Sequence, residues 1–221
     1  MKFLKFILNI FRIIGIFNTL FLMLKGNKFR IFFKENTLIL NNKVGMKNSI
    51  IKLKGKNNKV ILGDKLKLSE CFIRVTGENN IIEILEEGNI QKSIIEIIGN
   101  NSTIRIGKKF WVQEMKIWCK GTDGNIKIGN NCMFSNNIEI RNTDSHPIYD
   151  LETDERINLE KDVEIKDKVW IGSGVRILKG VTIEEGNVIG QNSFLTKSIL
   201  EKNCVIVENG RIIRKRIRWE M

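Results

Sequence analysis

The chain has 221 residues, 42% of them hydrophobic, which is enough for a sizeable core and excludes a disordered chain. Its formal net charge is +12, but the excess of Lys and Arg lies in residues 1–34 and 211–218, so no nucleic-acid-binding face is expected across the body of the protein. Four cysteines without a CxxC pair predict a reducing, cytoplasmic location, and a single histidine excludes sites that need two or three histidine ligands.

Residues 1–24 are apolar except for one polar stripe, whose spacing of three and four predicts an amphipathic helix. The stripe consists of Lys2, Lys5, Asn9 and Arg12. Charges interrupt the apolar run and no small-residue cleavage site follows it, so neither a membrane-spanning helix nor a signal peptide is expected. Two interpretations of this basic N-terminal region, residues 1–34, stay open. The helix lies on the inner face of a membrane, or it packs on a neighbouring subunit or on the first coil behind it.

A repeat of 22 residues begins near residue 50. Glycines recur at this spacing, each followed by a polar turn, and they are Gly55, Gly77, Gly99 and Gly121. After each turn, apolar residues alternate with a period of two, as Ile82 and Ile84 do, which is typical of a half-buried strand. The repeat predicts a solenoid in which each coil contributes several short strands and stacks its inward side chains on those of the next coil.

From Ile126 onward the period shortens to six residues. The inward series includes Ile126, Cys132, Ile138, Val163, Val169, Val175 and Val181. Three hexapeptides make one triangular coil, so the predicted fold is an all-β parallel solenoid over residues 35–205 with a short basic tail, residues 206–221. Cys119 and Cys132 fall in the inward phase, which predicts inert core residues.

Residues 142–162 break the period and contain the single proline and the single histidine, His146. Loops that leave a regular solenoid often carry functional residues, although a surface loop with an incidental histidine is the plain alternative. Trp170 follows His146 by 24 residues. Its neighbours Val169 and Ile171 are inward, so its own side chain should point outward, where a cofactor, a neighbouring protomer or the loop could cover it.

The run from Ile126 to Lys197, with NTDSHPIYD and then KVWIGSGVRILKGVTIEEGNVIGQNSFLTK, resembles the hexapeptide-repeat acyltransferases. Within that superfamily it looks most like bacterial O-acetyltransferases of capsular or lipopolysaccharide sugars, and the sialic acid capsule O-acetyltransferases in particular. The coils of residues 50–125 share only the general solenoid character. The resemblance implies a left-handed parallel β-helix, a homotrimer, and acetyl-CoA as the acetyl donor.

The resemblance also implies roles for particular residues. His146 is the catalytic base, and Trp170 of the VWIG motif lies by the thioester end of CoA. The remaining implied CoA contacts are the backbone around Gly172 and Gly190 for the pantetheine arm, and Lys179 and Lys197 for the phosphates. The chain departs from the family where a Gly-x-Pro-Ala-Lys turn usually ends the solenoid, because residues 209–215 are NGRIIRK and contain no proline.

The chemistry of imidazole supports the role implied for His146. A sugar hydroxyl is a poor nucleophile at neutral pH, and a histidine side chain, whose ordinary pKa lies near the working pH, can remove the proton as the hydroxyl attacks a thioester. The tetrahedral oxyanion then needs a donor, for which we expect a backbone N–H near Gly172. Asp144 either orients the imidazole or forms an Asx turn.

Two other protein classes differ from this expectation. A γ-type carbonic anhydrase also has a left-handed β-helix, but it binds zinc through several histidines, which this chain lacks. A non-catalytic solenoid that acts as a scaffold or binds a membrane surface would explain the basic ends but not the VWIG motif. We therefore expect a metal-free acetyl-CoA-dependent O-acetyltransferase of a bacterial surface sugar. A basic enzyme would attract an acidic acceptor, while the sugar, the hydroxyl and the choice of polymer or monomer stay open.

Overall fold

The computed structural model describes residues 25–221, and its regular structure is entirely β. In chain order the strands are β1 (Lys28–Ile31), β2 (Thr37–Leu40), β3 (Gly45–Lys47), β4 (Ile50–Lys56), β5 (Lys59–Leu62), β6 (Lys67–Ser69), β7 (Phe72–Glu78), β8 (Ile81–Ile84), β9 (Asn89–Gln91), β10 (Ile94–Asn100), β11 (Thr103–Ile106), β12 (Trp111–Val112), β13 (Met115–Thr122), β14 (Asn125–Ile128), β15 (Met133–Phe134), β16 (Ile138–Arg141), β17 (Val163–Ile165), β18 (Trp170–Ile171), β19 (Arg176–Ile177), β20 (Thr182–Ile183), β21 (Val188–Ile189), β22 (Phe194–Leu195), β23 (Cys204–Val207) and β24 (Arg211–Lys215). The predicted amphipathic helix, residues 1–24, lies outside the described residues. Within residues 25–221 no helix is long and apolar enough to cross a membrane.

The strands form three sheets, which are the sides of a triangular prism. Sheet A contains β1, β4, β7, β10, β13, β16, β19 and β22; sheet B contains β2, β5, β8, β11, β14, β17 and β20; sheet C contains β3, β6, β9, β12, β15, β18, β21, β23 and β24. Each coil passes from sheet A to B to C, and among the described strands β24 alone runs antiparallel to its neighbour. The chain is the left-handed parallel β-helix that the sequence predicts.

Both predicted repeat lengths appear in the strand register. Ile51 pairs with Ile73, 22 residues later, whereas Ile165 pairs with Ile183, 18 residues later. All four of these side chains are buried. The long N-terminal coils and the hexapeptide coils therefore share one continuous core, because the same inward rows run through both.

The glycine column of the 22-residue repeat has a steric cause. Gly77 has φ of +121°, and a Cβ on it would lie 1.8 Å from the carbonyl oxygen of Gly99 in the next coil. No side chain fits there. Just beyond this column, Asn58 and Asn80 are buried, and Asn80 donates from its backbone N (3.1 Å) and its Nδ2 (2.9 Å) to Asn58 Oδ1. The asparagines of the polar turns thus provide hydrogen bonds for the polar groups that are buried at the corner between sheets A and B.

The cysteines of the inward rows are core residues, as predicted. Cys119 and Cys132 are fully buried, and burial raises the pKa of each thiol to about 12. The thiols are therefore protonated at neutral pH and have no nucleophilic character.

Candidate functional site

The predicted functional loop is a hairpin that leaves the prism at the corner between sheets A and B. Its stem closes where Lys161 N donates to Asn142 O at 3.0 Å, and Asn142 itself is buried. Farther out, Ile157 N donates to Ile148 O at 2.9 Å. At the tip, the Asp150 carboxylate accepts from the backbone N–H groups of the two residues Glu152 and Thr153 in an Asx turn. The loop is therefore an ordered arm.

Apolar side chains on this arm face solvent. They are Ile148, Tyr149, Leu151, Ile157 and Leu159, and Leu151 is fully exposed. The 21 residues of the arm cannot form a core of their own, so these side chains form an exposed apolar surface without a partner among the described residues.

His146 lies near the stem of the arm and is exposed. Its backbone is held by Asn158, a buried amide that donates from Nδ2 to His146 O at 2.8 Å and accepts from Ile148 N at 2.7 Å. Within residues 25–221 no group forms a hydrogen bond with the imidazole itself. The structure thus fixes the main chain of the predicted base and leaves its ring accessible to a substrate.

Asp144 is engaged away from the imidazole. Its Oδ2 accepts from Lys179 Nζ at 2.5 Å and from Asn158 Nδ2 at 3.1 Å. The hydrogen bond from Lys179 lowers the pKa of Asp144. Asp144 therefore ties the arm to the next coil, and Lys179, predicted to contact CoA phosphates, is already paired with a carboxylate.

Trp170 lies on β18 in sheet C and points outward, as predicted, with 38% of its surface exposed. Its neighbour is Trp219, a residue about which the sequence analysis makes no prediction. The two ring centroids are 6.1 Å apart, and Trp219 Nε1 donates to Lys168 O at 2.9 Å. The predicted tail is accordingly a docked element, since β24 pairs with β23 and the residues after β24 return along the corner between sheets B and C.

An open groove of about 1020 Å³ lies between this returning segment and the corner of the coils. The basic residues that line it are Lys168, Lys202, Lys215, Arg216 and Arg218. The acidic residues that line it are Glu185, Glu201 and Glu220. Trp219 forms part of the same wall. Three of these cations form ion pairs within the groove, Lys202 with Glu185, Lys215 with Glu201 and Arg218 with Glu220. Lys168 and Arg216 are left beside the aromatic wall, where they could meet a ligand that carries phosphate groups. Within residues 25–221 no cluster of three or more His, Cys, Asp or Glu side chains could hold a metal ion.

The predicted glycines have structural explanations. A Cβ on Gly172 would lie 2.8 Å from Gln191 N, and one on Gly190 would lie 2.9 Å from Val207 Cγ1, so coil stacking requires both glycines. Gly172 N donates to Ile189 O at 2.8 Å. The N–H of Gly172 itself is therefore not free to stabilise an oxyanion, and an oxyanion donor elsewhere near Gly172 stays a prediction.

The predicted residues fall into two groups on different sides of the prism. His146, Lys179 and Lys197 lie at the corner between sheets A and B, where Lys197 is exposed. Trp170 lies on sheet C, which is the side opposite that corner, and Gly172 and Gly190 follow it toward sheet A. Within one chain the structure therefore does not bring His146 and Trp170 together.

Sequence reasoning missed two residues of this region, Asn158 and Trp219. A single asparagine in a polar loop carries no distinguishing signal. Trp219 was visible as an aromatic residue inside a basic segment, RKRIRWE, but neither its partner nor its direction could be inferred from that pattern.

The hexapeptide coils are similar in sequence to known transferases. The profile of the family described as "Bacterial transferase hexapeptide (six repeats)" matches residues 162–197. The polysialic acid O-acetyltransferase of Neisseria meningitidis is 61% identical over 49 residues, which are 22% of this chain and 23% of that protein. The aligned part is thus less than a quarter of that relative's length.

Two solved structures are similar over most of the chain. The polySia-specific acetyltransferase NeuO has a TM-score of 0.76 and 28% identity, with 89% of each chain covered. The polysialic acid O-acetyltransferase OatWY has a TM-score of 0.66 and 32% identity, with 88% of this chain and 91% of that chain covered. The likeness therefore includes the N-terminal coils as well as the hexapeptide run.

Proposed function

The chain belongs to the hexapeptide-repeat transferases, and we propose that it transfers acetyl from acetyl-CoA to a hydroxyl of an anionic bacterial surface polysaccharide. Polymers of sialic acid are the first acceptors to test, because the similar proteins are named for that substrate. The observation that carries the proposal is the exposed histidine on an ordered arm, combined with an outward tryptophan in the coils that match the family.

We further propose a homotrimer in which the arm of one protomer lies against sheet C of the next. The reason is geometric, since the corner that carries His146 and the sheet that carries Trp170 are on opposite sides of the prism. The exposed apolar side chains of the arm support the same arrangement, because a neighbouring protomer would cover them. Light scattering should return a trimer, and a monomeric mass of 25.6 kDa at micromolar concentration would contradict it.

In this site His146 removes the proton of the acceptor hydroxyl as its oxygen attacks the thioester carbonyl of the donor. Acetyl-CoA supplies an already activated acyl group, so no covalent bond to the protein is needed. When the tetrahedral centre collapses, the imidazolium returns its proton to the departing sulfur. Asn158 holds the His146 main chain during these steps, because it bonds both His146 O and Ile148 N.

The donor would lie along the side of the prism that carries Trp170. Its indole is accessible for contact with the thioester end, and in the groove beside Trp219 the cations Lys168 and Arg216 are available for the phosphates of CoA. Lys179 and Lys197 remain candidate phosphate ligands, contributed by the corner between sheets A and B of the adjacent protomer in the proposed trimer. Lys179 would have to share its charge with Asp144.

An anionic acceptor fits the outward face of sheet A, which leads into the arm through β16. Basic residues predominate there: Lys28, Arg30, Lys52, Lys54, Lys56, Arg74, Lys116, Lys120, Arg141 and Arg176 against Glu78, Glu96 and Glu139. Two of these acids are already neutralised, because Glu96 pairs with Arg74 and Glu139 with Arg141. Such a face would raise the association rate of a polyanion in a salt-dependent manner.

We also propose that the protein works on the cytoplasmic side of the membrane and that residues 1–24 bind its anionic surface. The basis is the charge pattern of that segment. Deleting it should abolish sedimentation with anionic vesicles at low salt and leave acetyl transfer intact. If the intact chain fails to sediment under those conditions, the segment belongs to the oligomer instead.

In the central experiment the 221-residue chain is incubated with acetyl-CoA and a sialic acid polymer, or with acetyl-CoA and a neutral polysaccharide as control. Release of free CoA thiol and NMR of the polymer measure the transfer. His146→Ala should lower kcat by roughly 100-fold or more with little change in the acetyl-CoA KM, since it removes a group that acts in the transition state. No transfer to any acidic polymer would refute the proposal, and a His146→Ala variant that retained most of its kcat would refute the base.

A further inference from the structure

We propose that Trp219 is a positioning residue of the donor site, which fixes the indole of Trp170 and thereby limits the acyl groups that fit beside it. This inference rests on the proposed function, because it takes Trp170 to lie at the acyl end of the donor. Trp219 would then have a role in donor binding that is separate from the positive charge of the residues around it.

The path of the chain brings Trp219 to this place. After β24, Ile217 N donates to Asn203 O at 3.0 Å, and two residues later Trp219 Nε1 reaches Lys168 O at 2.9 Å. Asn203 and Lys168 occupy equivalent corners two coils apart, so the segment runs back across about 10 Å of the prism. Each end of this run is anchored by a backbone carbonyl of the β-helix.

The contact between the two indoles is specific to this coil. Trp170 and Trp219 are tilted by 47° with centroids 6.1 Å apart, which is within the range of favourable aromatic pairs. Trp111 occupies the same outward row of sheet C, because Met133 pairs with both Trp111 and Trp170. Trp111 is 46% exposed, and among the described residues it has no aromatic partner. The tail therefore supports the one outward tryptophan to which we assign a donor contact.

Two consequences follow for the donor. An indole that is already held in place loses less side-chain freedom when the donor binds, so Trp219 should improve binding. The Trp219 ring also fills the space beside Trp170 at the corner between sheets B and C. A longer acyl chain could enter that space if the ring were absent. Removal of the ring should therefore relax the preference for acetyl over larger acyl groups.

The test compares Trp219→Ala and Trp219→Phe with wild type, using acetyl-CoA and propionyl-CoA as donors and the same acceptor polymer. For Trp219→Ala we expect the acetyl-CoA KM to rise about threefold to tenfold while kcat changes less, because an aromatic contact is lost in ground and transition states alike. The ratio of kcat/KM for propionyl-CoA to that for acetyl-CoA should rise at least about threefold. Trp219→Phe keeps a ring against Trp170 and should remain closer to wild type in both measures.

Trp111→Ala is the matched control, since it removes an outward tryptophan from the same row of sheet C and should leave the acetyl-CoA KM and the donor ratio unchanged. Wild-type KM and donor ratio in Trp219→Ala would overturn the inference. Equal losses in the Ala and Phe variants, or a similar change in Trp111→Ala, would overturn the ring contact as their cause. Absence of acetyl transfer by the wild type refutes the proposed function instead, so the two failures are distinguishable.

Discussion

Asn158 offers a sharp test of how the arm holds His146. Its side chain is buried and bonds three groups: it donates to His146 O at 2.8 Å and to Asp144 Oδ2 at 3.1 Å, and it accepts from Ile148 N at 2.7 Å. Replacing it with Ala removes all three hydrogen bonds without touching the imidazole. The expected result is a displaced arm and a misplaced His146 side chain.

The magnitude follows from the number of hydrogen bonds lost. A neutral hydrogen bond contributes about 0.5–1.5 kcal/mol. With His146 O and Ile148 N both affected, the docked arm should lose about 2 kcal/mol, which is about 30-fold in its equilibrium with displaced conformations. Asn158→Asp should not rescue this loss. The aspartate still accepts from Ile148 N, but it cannot donate to His146 O and adds a carboxylate beside Asp144.

Steady-state kinetics would separate this effect from a general loss of structure. We expect kcat to fall at least about fivefold with the acetyl-CoA KM nearly unchanged, because Trp170, the proposed donor contact, lies on the other side of the prism. Thr153→Ala, at the tip of the same arm, removes a hydrogen bond to Asp150 and should behave like wild type. An Asn158→Ala enzyme with wild-type kcat would show that the hydrogen bonds of Asn158 do not position His146.

Two further outcomes concern stability. Gly77→Ala should destabilise the β-helix by roughly 3 kcal/mol or more, because its Cβ would lie 1.8 Å from Gly99 O, whereas Gly45→Ala, with no atom nearer than 3.9 Å, should shift the urea midpoint little. For Asp144, the folded pKa is lowered chiefly by Lys179, so its stabilising effect is present above the unfolded pKa of about 3.9 and is lost as the pH falls through the folded value. The difference in thermal midpoint between wild type and Asp144→Asn should therefore be larger at pH 7 than at about pH 3, and a difference independent of pH would contradict the ion pair.

The fold was predictable because each coil repeats the same physical requirements. Gly77 must lack a Cβ, Asn80 must pair with the asparagine of the preceding coil, and Ile73 must point inward, and all three constraints recur every 22 residues. The position of the arm was predictable for the complementary reason, since an inserted segment interrupts that period. The repeat in the sequence therefore predicted the β-helix, and the break in the repeat predicted the arm.

The candidate site was predictable only in part. The sequence placed His146 on a loop and turned Trp170 outward, but it did not reveal that they lie on opposite sides of the prism, because that depends on how many residues form each side of a coil. Asn158 and Trp219 make contacts across 12 and 51 residues of sequence, outside any repeat. Such contacts leave no periodic signal in a single chain.

The opposed positions of His146 and Trp170 lead to a prediction about mixed oligomers. One side of a coil spans on the order of 15 Å, and the arm is tied near its stem by Lys161, Lys179 and Asn158, so a chain's own His146 cannot reach its own Trp170. In a cyclic trimer each site would take His146 from one protomer and Trp170 from the next. His146→Ala and Trp170→Ala subunits, unfolded together and reassembled in equal amounts, should then regain about a quarter of wild-type activity, because random assembly gives both intact partners at one site in four. Each variant reassembled alone is the control and should stay at its own low activity. If the mixture shows only the mean of the two controls, each site takes both residues from one chain, and the trimer arrangement proposed here is wrong.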